Sequence, residues 1–152
     1  MKALVTGVKG QLGYDVMNEL KKRGYEGIGV DVDEMDITDA QKVSEVISAA
    51  DVDTVFHCAA YTAVDAAEDN KEICHKVNAE GTRNIAEVCK KLDLKMIYIS
   101  TDYVFDGTGN RPWEPDDARE PLNYYGQSKY EGELAVEELL EKYFIVRIAW
   151  VF

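Results

Sequence analysis

The stretch Thr6-Gly7-Val8-Lys9-Gly10-Gln11-Leu12-Gly13 places glycines at intervals of three directly after a short apolar run. Apolar residues then recur at helical spacing from residue 11 to residue 23, and Gly24 ends the pattern. A strand, a glycine turn and a helix in this order are typical of nucleotide binding, because glycine lets the backbone approach a phosphate and the helix N-terminus carries partial positive charge. A plain tight turn is the alternative, since a glycine pattern alone is a weak signal.

The rest of the chain continues this alternation of apolar strands with amphipathic helices. Further strands are predicted at 28–30, 52–60, 95–100 and 144–151, the last of them buried. Helices are predicted from a capping box at Thr38-Asp39-Ala40-Gln41, over 70–92, and from about residue 124 onward. This pattern predicts an α/β fold with a doubly wound, Rossmann-like parallel sheet, a single layer of strands with helices on both faces. Such sheets bind ligands at the carboxyl ends of their strands.

The composition narrows the classes of function. With 152 residues, 46% of them hydrophobic, the chain is long enough for one globular domain with its own core. A net charge of -12 argues against nucleic acid or an anionic membrane as a partner. The three cysteines are odd in number and widely spaced, so we expect neither disulfides nor a metal site. No signal peptide and no apolar run of membrane-spanning length are evident, which makes the cytoplasm the expected location.

An acidic cluster follows the predicted second strand. Asp31 closes that strand, where a carboxylate can accept hydrogen bonds from the ribose hydroxyls of an adenosine and would repel a 2'-phosphate. Asp33 and Glu34 lie beside it with no arginine nearby, so NADH is favoured over NADPH, although Lys9 partly offsets the acidic charge. The alternative is that these acids only cap a loop.

The stretch Pro121-Leu122-Asn123-Tyr124-Tyr125-Gly126-Gln127-Ser128-Lys129 places a phenol and an ammonium one helical turn apart. Tyr125 and Lys129 head the apolar stripe of the last predicted helix, so both face the core. A lysine at this distance can stabilise the phenolate and lower the tyrosine pKa from its ordinary value of about 10, which makes a proton donor useful near neutrality. The alternative is a packed tyrosine beside a lysine that reaches water.

Together with the strand-end pair Ser100-Thr101, these features resemble the extended short-chain dehydrogenase/reductase family. Within it, the chain is most similar to the dTDP-4-dehydrorhamnose reductases. Besides the two stretches already quoted, the resemblance rests on two more: Ala59-Ala60-Tyr61-Thr62-Ala63-Val64-Asp65-Ala66-Ala67-Glu68 and Ser100-Thr101-Asp102-Tyr103-Val104-Phe105-Asp106-Gly107. The resemblance implies reduction of the 4-keto group of dTDP-4-dehydro-L-rhamnose to dTDP-L-rhamnose, with NADH or NADPH as cofactor and a dTDP-linked keto sugar as partner.

The resemblance also implies residue roles. Tyr125 would donate a proton to the oxygen of the reduced group, Lys129 would lower its pKa and hold the nicotinamide ribose, and Thr101 would hydrogen-bond the keto oxygen. Asp102 and Trp150, with Thr101, match positions near the sugar nucleotide. With Lys129 and the turn glycines Gly7 and Gly13, the expected cofactor-binding positions are Gly10, Gln11, Leu12, Asp31, Asp36, Ile37, Ala60, Tyr61 and Thr62.

Some of these residues have a simpler alternative role. Thr101 could instead form a turn at the strand end, and Asp102 could cap a helix. Asn78, inside the long predicted helix, either helps a proton relay, as in other short-chain reductases, or only bonds backbone.

Family members continue for about the length of another domain, which forms most of the sugar-nucleotide pocket. The resemblance therefore implies that residues 1–152 are the NAD(P)-binding Rossmann-like part and that the C-terminal substrate domain is absent. We expect catalysis by this part alone to be weak, because remote contacts position the keto carbon. Apolar surface left uncovered in this way makes a homodimer a possible assembly.

Two other functions are compatible with parts of the sequence. One is a non-catalytic NAD(P)-binding module, such as a protein similar to the regulatory subunit of methionine adenosyltransferase. The other is a different nucleotide-sugar epimerase or dehydratase. The presence of Thr101, Tyr125 and Lys129 together favours an enzyme, since a scaffold has no chemical need for all three. The residues around Asp102 and Tyr125 favour the reductase through resemblance alone.

Overall fold

The computed structural model describes residues 1–150, which contain a five-stranded sheet. Its strands are β1 (Lys2–Thr6), β2 (Glu26–Val30), β3 (Thr54–His57), β4 (Lys95–Thr101) and β5 (Tyr143–Ile148). They lie in the order β2-β1-β3-β4-β5, and every neighbouring pair is parallel. The chain moves outward from β1 to β2 and then returns to the other side of β1. The carboxyl ends of β1 and β3 therefore flank the point where a doubly wound sheet binds its ligand.

Helices cover both faces of the sheet, as the sequence predicts. The helices are α1 (Gln11–Lys22), α2 (Ala40–Ala50), α3 (Val64–Asp69), α4 (Lys71–His75), α5 (Gly81–Lys91) and α6 (Tyr124–Leu139). Alternate residues of β1 point to opposite faces, so Ala3 and Val5 pack in the core beneath α1 while Leu4 packs in the larger core of α2, α5 and α6. The Rossmann-like fold class is confirmed.

The predicted helix over 70–92 is interrupted. It consists of α4, a π-helical turn at Lys76–Glu80, and α5. A π turn contains one extra residue, and such turns are common at functional sites. Here the turn buries Asn78, whose side-chain amide accepts a hydrogen bond from the Tyr61 N–H at 2.8 Å and donates to the Tyr61 carbonyl at 3.0 Å and to Ser128 Oγ at 3.0 Å. Asn78 thus bonds the backbone of Tyr61 and, in addition, the side chain of Ser128.

The predicted capping box at the start of α2 is wrong in one respect. Asp39, not Thr38, caps the helix, and its side chain accepts the Lys42 N–H at 3.0 Å. Thr38 Oγ1 instead donates to Asp36 at 2.8 Å. The carboxylate at the cap position satisfies one of the free N–H groups of the first turn, so the threonine is left to stabilise the preceding loop.

The last strand differs from its prediction as well. β5 ends at Ile148, it is an edge strand, and it is not buried on both faces. Tyr143 and Ile145 pack against the core that contains α6, whereas Phe144, on the opposite face, is 61% exposed. Val151, which the prediction included in this strand, lies outside the described residues.

Within residues 1–150, the three cysteines are free thiols. Cys74 packs between α4 and α6, with its Sγ atom 3.2 Å from Ser128 Oγ. No helix in this part of the chain combines the length and the apolar character that crossing a bilayer requires.

Candidate active site

A cleft of about 1190 Å³ runs along the carboxyl edge of the sheet. Its walls come from the ends of β1 to β4, the glycine turn and the start of α6, as expected for the switch point of a doubly wound sheet. The predicted site residues that line it are Gly7, Gly10, Gln11, Leu12, Gly13, Asp31, Asp36, Ile37, Ala60, Thr62, Thr101, Asp102, Tyr125, Lys129 and Trp150. Tyr61 does not line the cleft, and its backbone N–H and carbonyl are both bonded by Asn78.

The glycine turn leaves room only for backbone. Gly7 has a φ of +69°, and a Cβ atom there would lie 2.9 Å from backbone atoms of Ala59. A Cβ atom on Gly13 would lie 2.3 Å from the Gly7 carbonyl oxygen. Gly10 is the N-cap of α1, and no side chain caps this helix. The first turn of α1 is therefore open towards the cleft, and this cradle fits the pyrophosphate of a dinucleotide.

The acidic cluster after β2 is held by local hydrogen bonds. Asp31 accepts the Lys9 N–H at 2.9 Å through Oδ2 and the Val32 N–H at 2.9 Å through Oδ1. The Lys9 ammonium pairs with Asp33, and this hydrogen bond raises the pKa of Lys9 and lowers that of Asp33. The ammonium is thus held at Asp33, and the carboxylate of Asp31 remains at the position expected of a ribose ligand.

Asp36 and Ile37 lie at the same end of the cleft. Asp36 accepts both the backbone N–H and the hydroxyl of Thr38, and these bonds lower its pKa. Ile37 is buried in the main core and packs so tightly on Gly81 of α5 that a Cβ atom there would lie 2.8 Å from it. Ile37 therefore forms a firm apolar wall where the sequence predicts a contact with the cofactor.

Two acceptors fix the start of α6. Asn123 caps the helix by accepting the Gly126 N–H at 2.7 Å, and Glu68 of α3 accepts the Tyr124 N–H at 2.7 Å. A Cβ atom on Gly126 would lie 2.2 Å from the Tyr103 carbonyl oxygen, so glycine lets α6 approach the short 3₁₀ turn Asp102–Val104. These contacts bring the first turn of α6, with Tyr125, against the end of β4.

Tyr125 and Lys129 both line the cleft, but different groups surround their side chains. Burial raises the pKa of Tyr125, and a hydrogen bond with Thr101 acts in the opposite direction. Lys129 is 2% exposed; its Nζ atom donates to the Ile99 carbonyl at 2.7 Å and lies 4.3 Å from the ring centroid of Tyr98. Burial lowers the pKa of Lys129 to about 7, while Glu133 acts to raise it.

The expected lowering of the Tyr125 pKa by Lys129 is not found in this structure. The Tyr125 phenol is largely buried, which disfavours its anion, and the ammonium is engaged by the Ile99 carbonyl. Thr101 is the residue that acts on Tyr125 in the predicted direction.

Thr101 ends β4 and forms the turn that follows it, which is one of its two predicted roles. Its Oγ1 atom accepts the Tyr103 N–H at 3.2 Å, as a turn former would, and donates to Asp102 Oδ1 at 3.2 Å. Trp150 stands at the rim with 84% of its surface exposed.

Two carboxylates near the site were not predicted. Glu68 supports the helix start, and no pattern in the sequence indicates that contact. Glu133 follows Lys129 by one helical turn on the same inward face and is 0% exposed. A charged residue on the apolar stripe of α6 was the signal that could have identified it.

The parallel sheet, its glycine turn and the cleft at its carboxyl edge place the chain in the class of Rossmann-like α/β proteins. The family model described as RmlD substrate binding domain matches residues 1–152. The chain therefore belongs to that family.

Individual relatives agree with this assignment. A dTDP-4-dehydrorhamnose reductase from Mycobacterium tuberculosis is 37% identical over 99% of this chain and 50% of its own. The crystal structure of a dTDP-4-dehydrorhamnose reductase from Clostridium acetobutylicum superimposes with a TM-score of 0.96 at 40% identity, covering 100% of this chain and 54% of that one. The crystal structure of a Bacillus anthracis reductase of the same name, in complex with NADP, superimposes with a TM-score of 0.93 at 41% identity. It covers 97% of this chain and 53% of that one. The chain thus spans about half the length of the curated relatives that it matches.

Proposed function

We propose that this chain is the cofactor-binding and catalytic part of an NAD(P)H-dependent dTDP-4-dehydrorhamnose reductase. The observation that carries the proposal is the convergence of Thr101, Tyr125 and Lys129 at the carboxyl edge of the sheet, in the same cleft as the glycine turn. The names of the relatives, which share the full length of this chain, support the substrate class. The reaction would reduce the 4-keto group of dTDP-4-dehydro-L-rhamnose to the alcohol of dTDP-L-rhamnose.

The chain's own residues would bind the cofactor along the cleft. Gly10, Gln11 and the turn around them would receive the pyrophosphate at the N-terminus of α1. Asp31 would accept the ribose hydroxyls, and Ile37 with Asp36 would flank the adenine. Ala60 and Thr62 would line the middle of the cleft between the glycine turn and Tyr125. When bound, the nicotinamide would supply the hydride that reaches the keto carbon.

Tyr125 and Thr101 would act on the keto oxygen. Thr101 would turn its hydroxyl proton from Asp102 Oδ1 to that oxygen, which polarises the carbonyl. Tyr125 would transfer its phenolic proton to the oxygen as the carbon is reduced, so that one hydride and one proton complete the alcohol. Asp102 and Trp150 would contact the sugar nucleotide from the rim.

Lys129 would support the proton transfer through its charge. Its pKa of about 7 means that the ammonium is present below neutrality and is lost as the pH rises through that value. A charged lysine favours the phenolate that Tyr125 becomes after giving up its proton. To hold the nicotinamide ribose as well, the ammonium would have to exchange its bond with the Ile99 carbonyl.

A reductase assay tests the proposal. The chain, and the chain joined to the C-terminal half of the Clostridium acetobutylicum relative, are mixed with dTDP-4-dehydrorhamnose and NADH or NADPH. The expected result is loss of the reduced-nicotinamide absorbance with stoichiometric formation of dTDP-rhamnose, faster in the joined protein. A protein that binds the cofactor and never oxidises it would support the non-catalytic module instead. Conversion of a sugar nucleotide without net cofactor oxidation would support an epimerase.

We further propose that NADH is the preferred cofactor, and Asp31 provides the test. Replacing Asp31 with serine removes a carboxylate that would face a 2'-phosphate, so the ratio of NADPH to NADH affinity is expected to rise by about tenfold. Asp33→Asn, which frees the Lys9 ammonium, is expected to shift the ratio in the same direction. Glu26→Gln, at the opposite end of β2, changes the net charge equally and serves as the control. An unchanged ratio in Asp31→Ser would contradict the assigned role.

The exposed residues of β5 support a proposed assembly. Phe144 and Val146 expose apolar area on β5, which supports a homodimer as the proposed assembly.

The proposed compartment is the cytoplasm, where a reducing medium keeps Cys58, Cys74 and Cys89 as thiols.

A further inference from the structure

One buried carboxylate collects hydrogen bonds from three parts of the chain. Glu133 Oε1 accepts Ser100 Oγ at 2.6 Å and Arg147 Nε at 2.9 Å. Its Oε2 atom accepts Arg119 Nη1 at 2.9 Å and Arg147 Nη2 at 2.9 Å. Burial alone would raise the pKa of Glu133, but the hydrogen bonds from Arg147, Ser100 and Arg119 outweigh it and hold the pKa below its usual range. Glu133 is therefore ionised at neutral pH.

Each partner of Glu133 belongs to a segment that borders the cleft. Ser100 directly precedes Thr101 at the end of β4, and Arg147 pairs with Ser100 in the register of β5. Arg119 belongs to the loop 105–121, which connects the 3₁₀ turn after Thr101 to the stretch that begins α6. The carboxylate thus joins the C-terminal end of this loop to β4 and β5.

Arg147 fixes the same loop at two further points. Its Nη1 atom donates to the Pro115 carbonyl at 3.0 Å, and its guanidinium lies 5.0 Å from the ring centroid of Phe105. Arg119 is held on its other side by Glu137 at 2.8 Å. With Glu133 removed, the guanidinium of Arg147 would face another cation across a buried space.

Glu133 also acts on Lys129. The groups that face the Lys129 ammonium from neighbouring elements are the thiols of Cys58 and Cys74 and the ring of Tyr98. His57 lies close as well, but burial lowers its pKa to about 3, so it is neutral. Among the described residues that shift the pKa of Lys129, Glu133 is therefore the carboxylate.

We infer that Glu133 is a positioning residue of the proposed reductase site: it holds the loop 105–121 and the ends of β4 and β5 around the cleft, and it places a negative charge one helical turn from the Lys129 ammonium. The catalytic meaning of this role rests on the proposed function. The contacts themselves do not, so the inference can be tested without turnover.

Two variants separate the charge of Glu133 from its structural contacts. Glu133→Gln keeps the shape and loses the charge, while Arg119→Gln releases the loop and keeps the Glu133 charge. Lysine labelled with ¹³C at Cε gives the pKa of Lys129 by NMR titration, with Lys129→Met identifying its signal. Hydrogen exchange followed by mass spectrometry gives the protection of the loop 105–121. Glu138→Gln, also on α6 but paired with Arg83 of α5 rather than with the loop, is the matched control.

We expect the pKa of Lys129 to shift in opposite directions in the two variants. Hydrogen exchange of the loop 105–121 is expected to increase in both. Glu133→Gln should lower the pKa of Lys129 by about one unit or more, because an attractive charge is lost and two arginines remain. Arg119→Gln should raise that pKa, because a repelling charge is lost. Loop exchange should increase at least about threefold in both variants and stay unchanged in Glu138→Gln.

Several results would overturn the inference. A purely structural role would move the Lys129 pKa in the same direction in both variants, or leave it unchanged. Unaltered loop exchange in Arg119→Gln would remove the positioning role, and this variant suffices if Glu133→Gln does not fold. Predicted shifts in a protein without reductase activity would instead reject the proposed function and leave the contacts in place.

Discussion

Replacing Tyr125 with phenylalanine is expected to lower the rate of keto reduction by about 10²- to 10⁴-fold, while the cofactor dissociation constant stays within about twofold. The substitution removes the proton donor and little else. Thr101 is the residue whose hydrogen bond acts on the Tyr125 hydroxyl. The ring of Tyr125 would keep its edge-to-face contact with Tyr103, in which the ring centroids are 5.8 Å apart. Turnover is followed by the absorbance of the reduced nicotinamide in the joined protein, and cofactor binding is measured on the chain alone.

The adjacent residue supplies the control for this experiment. Tyr124 is on the same helical turn, but it does not line the cleft, and the Lys71 ammonium lies 5.3 Å from its ring centroid. Tyr124→Phe should therefore retain nearly full activity. If Tyr125→Phe were as active as Tyr124→Phe, the proton donor would have to be another group.

Replacing Gly13 with alanine is expected to weaken NADH binding by at least about tenfold and to destabilise the fold by about 1–3 kcal/mol. The added methyl group would lie 2.3 Å from the Gly7 carbonyl oxygen and 3.0 Å from the Val8 Cα atom. Both contacts are to backbone, so no side-chain rotation can relieve them. The N-terminus of α1 would have to move away from the glycine turn, which separates the two parts of the pyrophosphate cradle.

Gly10→Ala tests whether the effect at Gly13 arises from this contact. A Cβ atom on Gly10 would meet only the Gly7 oxygen, at 3.3 Å, and Gly10 has an extended backbone that alanine adopts freely. Gly10→Ala should therefore lower the free energy of unfolding by less than about 1 kcal/mol. Denaturant unfolding curves compare the two variants. Equal losses of stability would show that the close approach of Gly13 to Gly7 is not what limits the turn.

The sequence predicted those features that depend on local pattern. The glycine turn, the apolar strands and the inward stripe that places Lys129 all follow from spacing along a single element, and the structure has them. The predicted strands β2, β3 and β5 differ from the observed ones at their ends, and β5 also differs in its burial. Asp31 could be placed at the edge of the sheet because the carboxyl ends of parallel strands share that edge.

The features that were missed depend on contacts between distant segments. Glu133 reaches Ser100 and Arg147 only once α6 has packed against β4 and β5. Nothing in the sequence around Ser100 or Arg147 indicates this contact. The π turn around Asn78 is stabilised by its bonds to the loop after β3, which helical periodicity cannot reveal. The raised pKa of Tyr125 reflects burial under the 3₁₀ turn, so the predicted effect of Lys129 could be judged only in three dimensions.

We expect the cleft at the glycine turn to bind a reduced nicotinamide dinucleotide. A titration of NADH with the chain, followed by nicotinamide fluorescence, measures this binding directly. The expected result is a saturable change with one cofactor per chain, and weaker binding by Gly13→Ala. A signal that does not saturate at millimolar concentrations of folded protein would contradict it.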